Sequence, residues 1–571
     1  MNQDFSYKIT SKKLQRFSIE KRELFLNLQF SYCNIGDRLN ENYECLPCQK
    51  GTYSFQNDFS FFSEVCKSCS GTNFYCYGGR NYTVKPGYWR SSINSYTFYL
   101  CPNEKACIGD PRDFNDEKNT YLSIYGASYC DVGYTGILCS ECKDGYGFLD
   151  GHICSSCENK NYYFQIFGNL ILRIIFTLYL IKISVNMALS IALDSSDPKR
   201  IASSNLLKIL VNHIQILSFV FSLPISFPKD IITAFSFIEG ISPNISEAFS
   251  MECILKYFKV NLSLQYYKLI VSGIYPIGLV ILFCLALKLI KILKSSFNFQ
   301  KNENKFQITT PNVLKANKLS NLDLLKAVFN LISLICYSDI AQITMAMFGC
   351  VTIDHETKSL SLLYADFRID CNSNYHTFWV KQTASPILIF YLFLYPIYIL
   401  ISIYIHLKKG LISKKFKFIF AYFYYAYQPK FFFWDFVILF RKLALIFIKA
   451  FFFTRVNEKV DSYPLIICII VFAIAFCLQI YCKPFQKDFN FINFVEEYSL
   501  LVTFYTVIIA LIYIISPELD SLAVIVFLIF GFFFNSIFFV IWIKFYIKNN
   551  NFLRKVLKMK YIFYFPYFIY L

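Results

Sequence analysis

The chain lacks the fingerprints of the common enzyme classes. It contains no H-E-x-x-H, no Walker loop, no G-x-S-x-G and no protein-kinase set. Histidine is scarce, with 5 in 571 residues, and none clusters with cysteine in a ligand pattern on a soluble domain. His152 lies in a cysteine-rich stretch and reads as a surface residue. Glu496 and Glu497 alone do not make the carboxylate or histidine cluster that an integral-membrane enzyme carries at one membrane face. A non-enzymatic role with no cofactor and no metal is therefore expected. The first thirty residues, MNQDFSYKITSKKLQRFSIEKRELFLNLQF, have no apolar h-region and so no signal peptide. Acids are also in deficit, 39 against 56 bases, for a net charge of +17. Such an excess can indicate a nucleic-acid partner. Here the positives sit at the ends of apolar runs and in alternate loops, as a cytoplasmic-loop bias dictates, so the expected partner is the lipid bilayer and not nucleic acid.

Hydrophobic and aromatic residues are abundant, at 55% and 19%, and the mean hydropathy is +0.41. That average combines a polar front with a very apolar remainder. Before residue 160, charges and turn residues are frequent; after it, apolar runs near twenty residues recur. The abundance of Phe, Tyr, Ile, Asn and Lys also fits an AT-rich coding bias, which dilutes the information in any one aromatic. The junction lies at 130–191, where CDVGYTGILCSECKDGYGFLDGHICSSC leads into YYFQIFGNLILRIIFTLYLIKISVNMALSIAL.

Four segments are expected: residues 1–32, a cysteine-rich ectodomain at 33–160, a transmembrane domain at 161–545 and a basic cytoplasmic tail at 546–571. In the first, Leu26, Leu28, Phe30 and Tyr32 alternate with polar residues, the pattern of a half-buried strand. A lone strand has nothing to pack on, so this segment is expected to be the tail of a longer polypeptide. A first membrane helix acting as a reverse anchor is the alternative.

The ectodomain holds thirteen of the 21 cysteines: Cys33, Cys45, Cys48, Cys66, Cys69, Cys76, Cys101, Cys107, Cys130, Cys139, Cys142, Cys154 and Cys157. Cys45 to Cys69 spells C-x2-C-x17-C-x2-C, which is also zinc spacing. Zinc on thiolates implies a reducing compartment, disulfides an oxidising one. Asn81-Tyr-Thr is a glycosylation sequon inside the module, and a cytoplasmic module would invert the charge bias of every later loop. Disulfides are therefore expected. A module this poor in apolar core needs them, at about 2–4 kcal/mol each.

A helix spans a bilayer with about twenty apolar residues. Nine spans are expected, at 164–190, 204–223, 268–290, 324–349, 385–405, 431–452, 463–482, 494–515 and 522–545, an all-α polytopic bundle behind a small disulfide-rich ectodomain. With the N-terminus outside and the C-terminus cytoplasmic, Lys and Arg number about 22 inside and about 9 outside. The remaining sequons, Asn244-Ile-Ser and Asn261-Leu-Ser, fall on the outside. Cys253, Cys350 and Cys371 fall there too and raise the outer cysteines to sixteen, expected to pair among themselves or with Cys157. Cys284, Cys336, Cys468, Cys477 and Cys482 should be free thiols.

Ionisable groups inside a span cost about 2.5–3.5 kcal/mol each on insertion scales, so they are functional candidates by default. Lys182, Lys208 and Lys288 lie near span ends, where snorkelling is expected. In FFFWDFVILFRKLALIFIKAFFF, however, Asp435, Lys442 and Lys449 recur every seven residues, on one helical stripe, with Arg441 beside it. That stripe should face the bundle. Asp339, Glu496 and Glu497 are the candidate partners, and Arg173 is another intramembrane cation. A structural ion-pair seam, ion passage or gating, and snorkelling are the three readings open for this set.

Several stretches resemble known families. CLPCQKGTYS (45–54) followed by CKSCSGTNFYC (66–76) resembles the ephrin-receptor-like, growth-factor-receptor cysteine-rich repeat, and CDVGYTGILCSECKDGYGF (130–148) resembles an EGF-like or laminin-type EGF module. Their order around GYWR (87–90), ahead of a polytopic region, is similar to a large set of protist multi-pass membrane proteins, whose recurrent outer loop SLLYADFRIDC (361–371) also resembles. The resemblance implies an extracellular module over 33–157 without naming its ligand. The acidic and Asn set that calcium-binding EGF modules need is missing, so calcium is not implied. KPFQKDFNFINFVEEYSLL (483–501), together with FFWDFVILFRK (432–442), resembles the transient-receptor-potential-like membrane domain, which implies a channel-like bundle without identifying a pore residue.

The leading expectation is a surface receptor or channel-like protein of the plasma membrane that takes an unknown extracellular ligand; self-association into a homo-oligomer is compatible with it. A seven-helix G-protein-coupled-type receptor is a second reading, and requires loops 191–203 and 483–493 not to separate spans. A structural or adhesive surface protein, with the bundle as mere anchor, is a third.

Overall fold

The computed structural model describes, short gaps apart, residues 6–8, 25–27, 36–39, 45–54, 66–109, 129–223, 252–296, 319–453, 463–515 and 521–554. Cys33, Asn244 and Asn261 lie outside the described residues, as does nearly all of the tail. The chain forms two compact units: residues 1–98 with 107–129, and residues 99–106 with 130–571.

The first unit is built from short antiparallel ladders. β1 (Ser6–Lys8) pairs with β2 (Phe25–Asn27), with Tyr7 opposite Leu26; Leu28, Phe30 and Tyr32 of the expected strand lie outside the described residues. Next come β3 (Asp37–Leu39) with β4 (Cys45–Pro47), β5 (Thr52–Tyr53) with β6 (Lys67–Ser68), and β7 (Phe74–Gly78) with β8 (Asn81–Val84). The apolar core is very small. Phe74, Cys76 and Tyr82 are buried, Tyr53 meets Phe74 edge-on at 5.0 Å, and Phe98 stacks on it at 4.6 Å. Disulfides compensate: Cys48 is bonded to Cys66 and Cys69 to Cys76, which removes thiols that a zinc site would need. Gly78 has φ +98°, and a Cβ there would come within 2.9 Å of the Cys48 carbonyl, so the turn after β7 excludes side chains.

The second unit is mainly helical. Its long helices are α1 (Lys160–Ala192), α2 (Pro198–Phe221), α4 (Leu264–Ser296), α5 (Asn321–Ala346), α6 (Asn374–Lys408), α8 (Trp434–Phe452), α9 (Tyr463–Cys482), α10 (Asn490–Ile515) and α11 (Ser521–Asn549). Two shorter helices, α3 (Glu252–Tyr257) and α7 (Lys414–Tyr424), were not legible as spans. Among the described residues, eight helices are long and apolar enough to cross a membrane. The ninth, α8, is a 19-residue helix that carries four charges, Asp435, Arg441, Lys442 and Lys449. The helical region is a multi-pass membrane bundle.

Local chemistry sets the helix ends. Ser320 and Asp323 form a reciprocal capping box at the start of α5. Asp197 accepts the Lys199 amide at 3.0 Å, and Pro198 fills the first turn of α2, where its missing N–H costs nothing. Within α6 the backbone widens to π-helical turns over Val380–Ala384 and Ile387–Leu394, either side of Pro386, which has no amide to donate.

Burial differs sharply between helices. Ile274, Ile277, Ile281, Leu285 and Leu289 of α4 are exposed at helical spacing, an apolar stripe suited to lipid. In α2, by contrast, every residue from Ile201 to Val220 is buried. The sequence made α2 the least convincing span; in the fold it is the central one, packed against α1, α10 and α11.

At one end of the bundle lie four more disulfides. Hairpins β9 (Tyr134–Thr135)–β10 (Glu141–Cys142) and β11 (Tyr146–Asp150)–β12 (Ile153–Ser156) carry Cys130–Cys139 and Cys142–Cys154. Cys157, at the head of α1, is bonded to Cys253 of α3. A three-stranded sheet of β13 (Cys350–His355), β14 (Lys358–Leu363) and β15 (Asp366–Asp370) joins α5 to α6 and holds Cys350–Cys371. Cys45, Cys101 and Cys107 are also disulfide-bonded, and Cys284, Cys336, Cys468, Cys477 and Cys482 are free.

Candidate functional site

Two polar stripes face each other inside the bundle. On α2, Lys208, Asn212 and Gln215 follow at intervals of four and three, one face of a helix. On α8, Asp435 and Lys442 lie two turns apart. All five side chains are buried.

Lys208 Nζ forms an ion pair with Asp435 Oδ2 and donates to the Tyr422 carbonyl at 3.3 Å. The Tyr427 hydroxyl donates to Asp435 Oδ1 at 2.5 Å, so both oxygens of that carboxylate are engaged. The Lys208 ammonium also stands 4.5 Å from the centroid of the Tyr422 ring. Two turns on, Lys442 Nζ donates to Asn212 Oδ1 and to Gln215 Oε1, both at 2.6 Å. Gln215 in turn donates to the Ile335 carbonyl of α5 at 3.2 Å. Arg441, beside Lys442 on α8, meets Glu496 of α10 at 3.7 Å. A buried charge is tolerated only when paired and hydrogen-bonded. Lys208–Asp435 and Arg441–Glu496 pair opposite charges, whereas Lys442 is held by two neutral side-chain amides; together the contacts join α2, α8 and α10.

A cavity of about 30 Å³ opens between the stripes, lined by Ser184, Ser204, Lys208, Asn212, Gln215, Asp435 and Lys442 among apolar neighbours. Its size and polar lining suit one water molecule. Nearby, His213 is wholly buried, stacks on Phe538 at 3.8 Å and shares a hydrogen bond with Ser499 at 3.0 Å.

The sequence-derived set divides. Asp435, Arg441, Lys442 and Glu496 come together in the seam. Lys449 and Glu497 are only half-buried and lie outside it. Arg173 and Asp339 are buried within electrostatic reach of Tyr275, and Asp339 is within reach of Lys442 as well. Lys208, expected to snorkel, does not: it is the partner of Asp435. The reason is the complete enclosure of α2, which leaves the ammonium no path to water. The signal for it was present as the i, i+4, i+7 spacing of Lys208, Asn212 and Gln215.

The two stretches 432–442 and 483–501 lie side by side. The Gln428 amide donates to the Pro484 carbonyl at 2.8 Å, and the Gln486 amide returns to the Ala426 carbonyl at 3.1 Å. This pairs the α7–α8 connection, which carries the Asp435 partner Tyr427, with the α9–α10 turn.

A second polar cluster lies at the disulfide-bearing end. Glu252 Oε2 accepts the Phe148 amide at 3.2 Å, and its Oε1 accepts from Arg368 at 3.0 Å. Arg368 also forks onto Asp366, at 2.7 and 2.9 Å, while Ser263 donates to the same carboxylate. Burial alone would push the Asp366 carboxyl up; the Arg368 hydrogen bonds and charge, with the Ser263 hydroxyl, outweigh it and hold it below its usual range. Glu141 shifts the other way, because burial raises its carboxyl more than the Arg368 charge lowers it. The cluster ties hairpin β11–β12, α3 and β15 together, beside the Cys157–Cys253 bond.

No family model, curated protein or solved structure matches the chain. The resemblances noted for 33–157 and for 432–442 with 483–501 therefore remain resemblances.

Proposed function

We propose that the chain is a multi-pass surface receptor, non-enzymatic, with its disulfide-rich end outside the cell sensing a ligand and its helical core responding. The observation that carries this reading is the polar seam on α2. A bundle serving only as an anchor gains nothing from ions at that depth, where each costs about 2.5–3.5 kcal/mol on insertion scales. A seam of paired charges between helices is, in contrast, suited to two alternative packings, the kind of element a ligand can bias. The Cys157–Cys253 bond and the Glu252 contacts supply a mechanical link from the cysteine-rich hairpins to the helices. Nine long helices, with α1 and α2 parted at 193–197 and α9 and α10 at 483–489, disfavour a seven-helix arrangement.

A channel-like activity is the second reading, favoured by the polar cavity between Lys208, Asp435 and Lys442. Whole-cell recording from cells expressing the full chain tests it, with surface biotinylation as the delivery control. A current altered by Lys442→Leu moves the reading from receptor to channel. No current from surface-delivered protein supports the receptor. Delivery and binding behaviour unchanged by Lys208→Met, Asp435→Leu and Lys442→Leu together would sink both and leave an anchor.

A further inference from the structure

The disulfide-bearing end of the second unit contains a cavity of about 550 Å³. That is the size of a site for a small organic molecule. Its walls come from α3 and the segment into α4, from β15, and from the start of α6. The charged residues lining it are Glu252, Lys256, Arg368 and Asp370, and the aromatic ones are Tyr266 and Tyr375.

The two cations already have partners. Arg368 is held by Glu252 and by both oxygens of Asp366. Lys256 Nζ donates to the carbonyls of Cys142 at 3.0 Å and Tyr146 at 3.1 Å. Acids outnumber bases around the cavity, with Glu141, Glu252, Asp366 and Asp370 against Lys256 and Arg368. Asp370 is exposed, accepts the Asn372 amide at 2.9 Å, and forms no ion pair among the described residues; the buried His376 is a basic group within reach of its charge. Beside Asp370 the Tyr375 ring, 55% exposed, stands at 90° to Tyr266 with centroids 5.4 Å apart, and Trp379 stacks behind Tyr266 at 4.9 Å. Tyr266 itself is buried, so Tyr375 is the ring presented; an exposed aromatic ring next to a carboxylate outside any ion pair can recognise a cation with an apolar shell.

We propose that this cavity binds a small organic cation, an alkyl- or quaternary ammonium, with Tyr375 as its aromatic wall, backed by the buried Tyr266, and Asp370 as its counter-ion. The site deepens the receptor reading and rests on it for facing the outside of the cell. The ammonium belongs either to a free amine or to a choline lipid headgroup, since α6 leads from the cavity into the bundle's apolar exterior.

The test uses the purified full chain in nanodiscs of phosphatidylglycerol, which contain no choline, titrated with choline while thermal unfolding is followed. A saturable rise in unfolding temperature is expected with choline and none with its neutral isostere 3,3-dimethylbutan-1-ol or with acetate. Tyr375→Ala and Asp370→Asn should each weaken choline binding about tenfold, and Tyr375→Phe should preserve it. Repeating the titration in phosphatidylcholine nanodiscs separates the sources: a retained response assigns the site to free amines, and a lost one to the headgroup. No response to choline in phosphatidylglycerol, an equal response to the neutral isostere, or a response untouched by both variants overturns the proposal. Failure here with a cellular response to another ligand would leave the receptor reading standing. Choline binding without any cellular response would instead count against the receptor and leave the site.

Discussion

Lys208 and Asp435 lie 227 residues apart in the chain and close an ion pair between α2 and α8, with both side chains at least nine-tenths buried. Removing one member leaves the other charge buried without a partner, at a cost of about 3–5 kcal/mol. Lys208→Met and Asp435→Leu should each lower the unfolding temperature of detergent-solubilised protein and reduce surface delivery. The double variant should recover most of the loss. Additive losses would mean that the two side chains act independently.

Cys157–Cys253 closes a span of 96 residues. Loops of that length lose roughly 4–5 kcal/mol of unfolded-state entropy in the chain-entropy picture. Cys157→Ser, Cys253→Ser and the pair together should destabilise by similar amounts, read as thermal unfolding without reductant. A double variant much worse than either single one would argue against the bond.

The ion cluster at that same end makes stability depend on acid. Asp366 is held below its ordinary value of 3.8 in the fold, by Arg368 and Ser263 acting against burial. A depressed carboxyl contributes stability above its unfolded pKa and loses it as pH falls through the folded one. Unfolding should therefore become easier below about pH 4, and Asp366→Asn should flatten that part of the profile. Glu141 has the opposite sign: its carboxyl is raised by burial, so Glu141→Gln should stabilise the protein at neutral pH. Identical profiles for wild type and Asp366→Asn would refute the first assignment.

Asn81 is exposed on β8, while Thr83 of the same sequon is buried and 3.4 Å from the Tyr77 hydroxyl. If the disulfide-rich end faces the secretory lumen, the protein should lose mass on glycosidase treatment, and Asn81→Gln should remove at least part of that change. Unmodified protein at the cell surface would reverse the topology.

Composition and run length made most of the bundle legible, because a bilayer demands apolar segments of fixed length. The stripe of Asp435 and Lys442 was legible for the same reason, since no charge belongs there by default. The partners were not. Hydropathy describes a helix alone and so places Lys208 at an interface, whereas α2 is surrounded by other helices. The sheet β13–β15 and helix α7 also escaped: their apolar residues, such as Phe416, Phe418 and Phe423, pack on neighbours that no local pattern reveals. The cavity beside Tyr375 arises from three chain segments distant in sequence, so only the fold assembles it.

The enclosure of α2 has a consequence for biosynthesis. When α2 leaves the ribosome, Lys208, Asn212 and Gln215 have no α8 to receive them, and Asp435 follows only 227 residues later. At about 5–20 residues per second, the wait is roughly ten to fifty seconds. Throughout it the helix cannot settle in lipid by itself, and must be sheltered by the insertion machinery or a chaperone. Assembly of this bundle is therefore timed by its own sixth long helix.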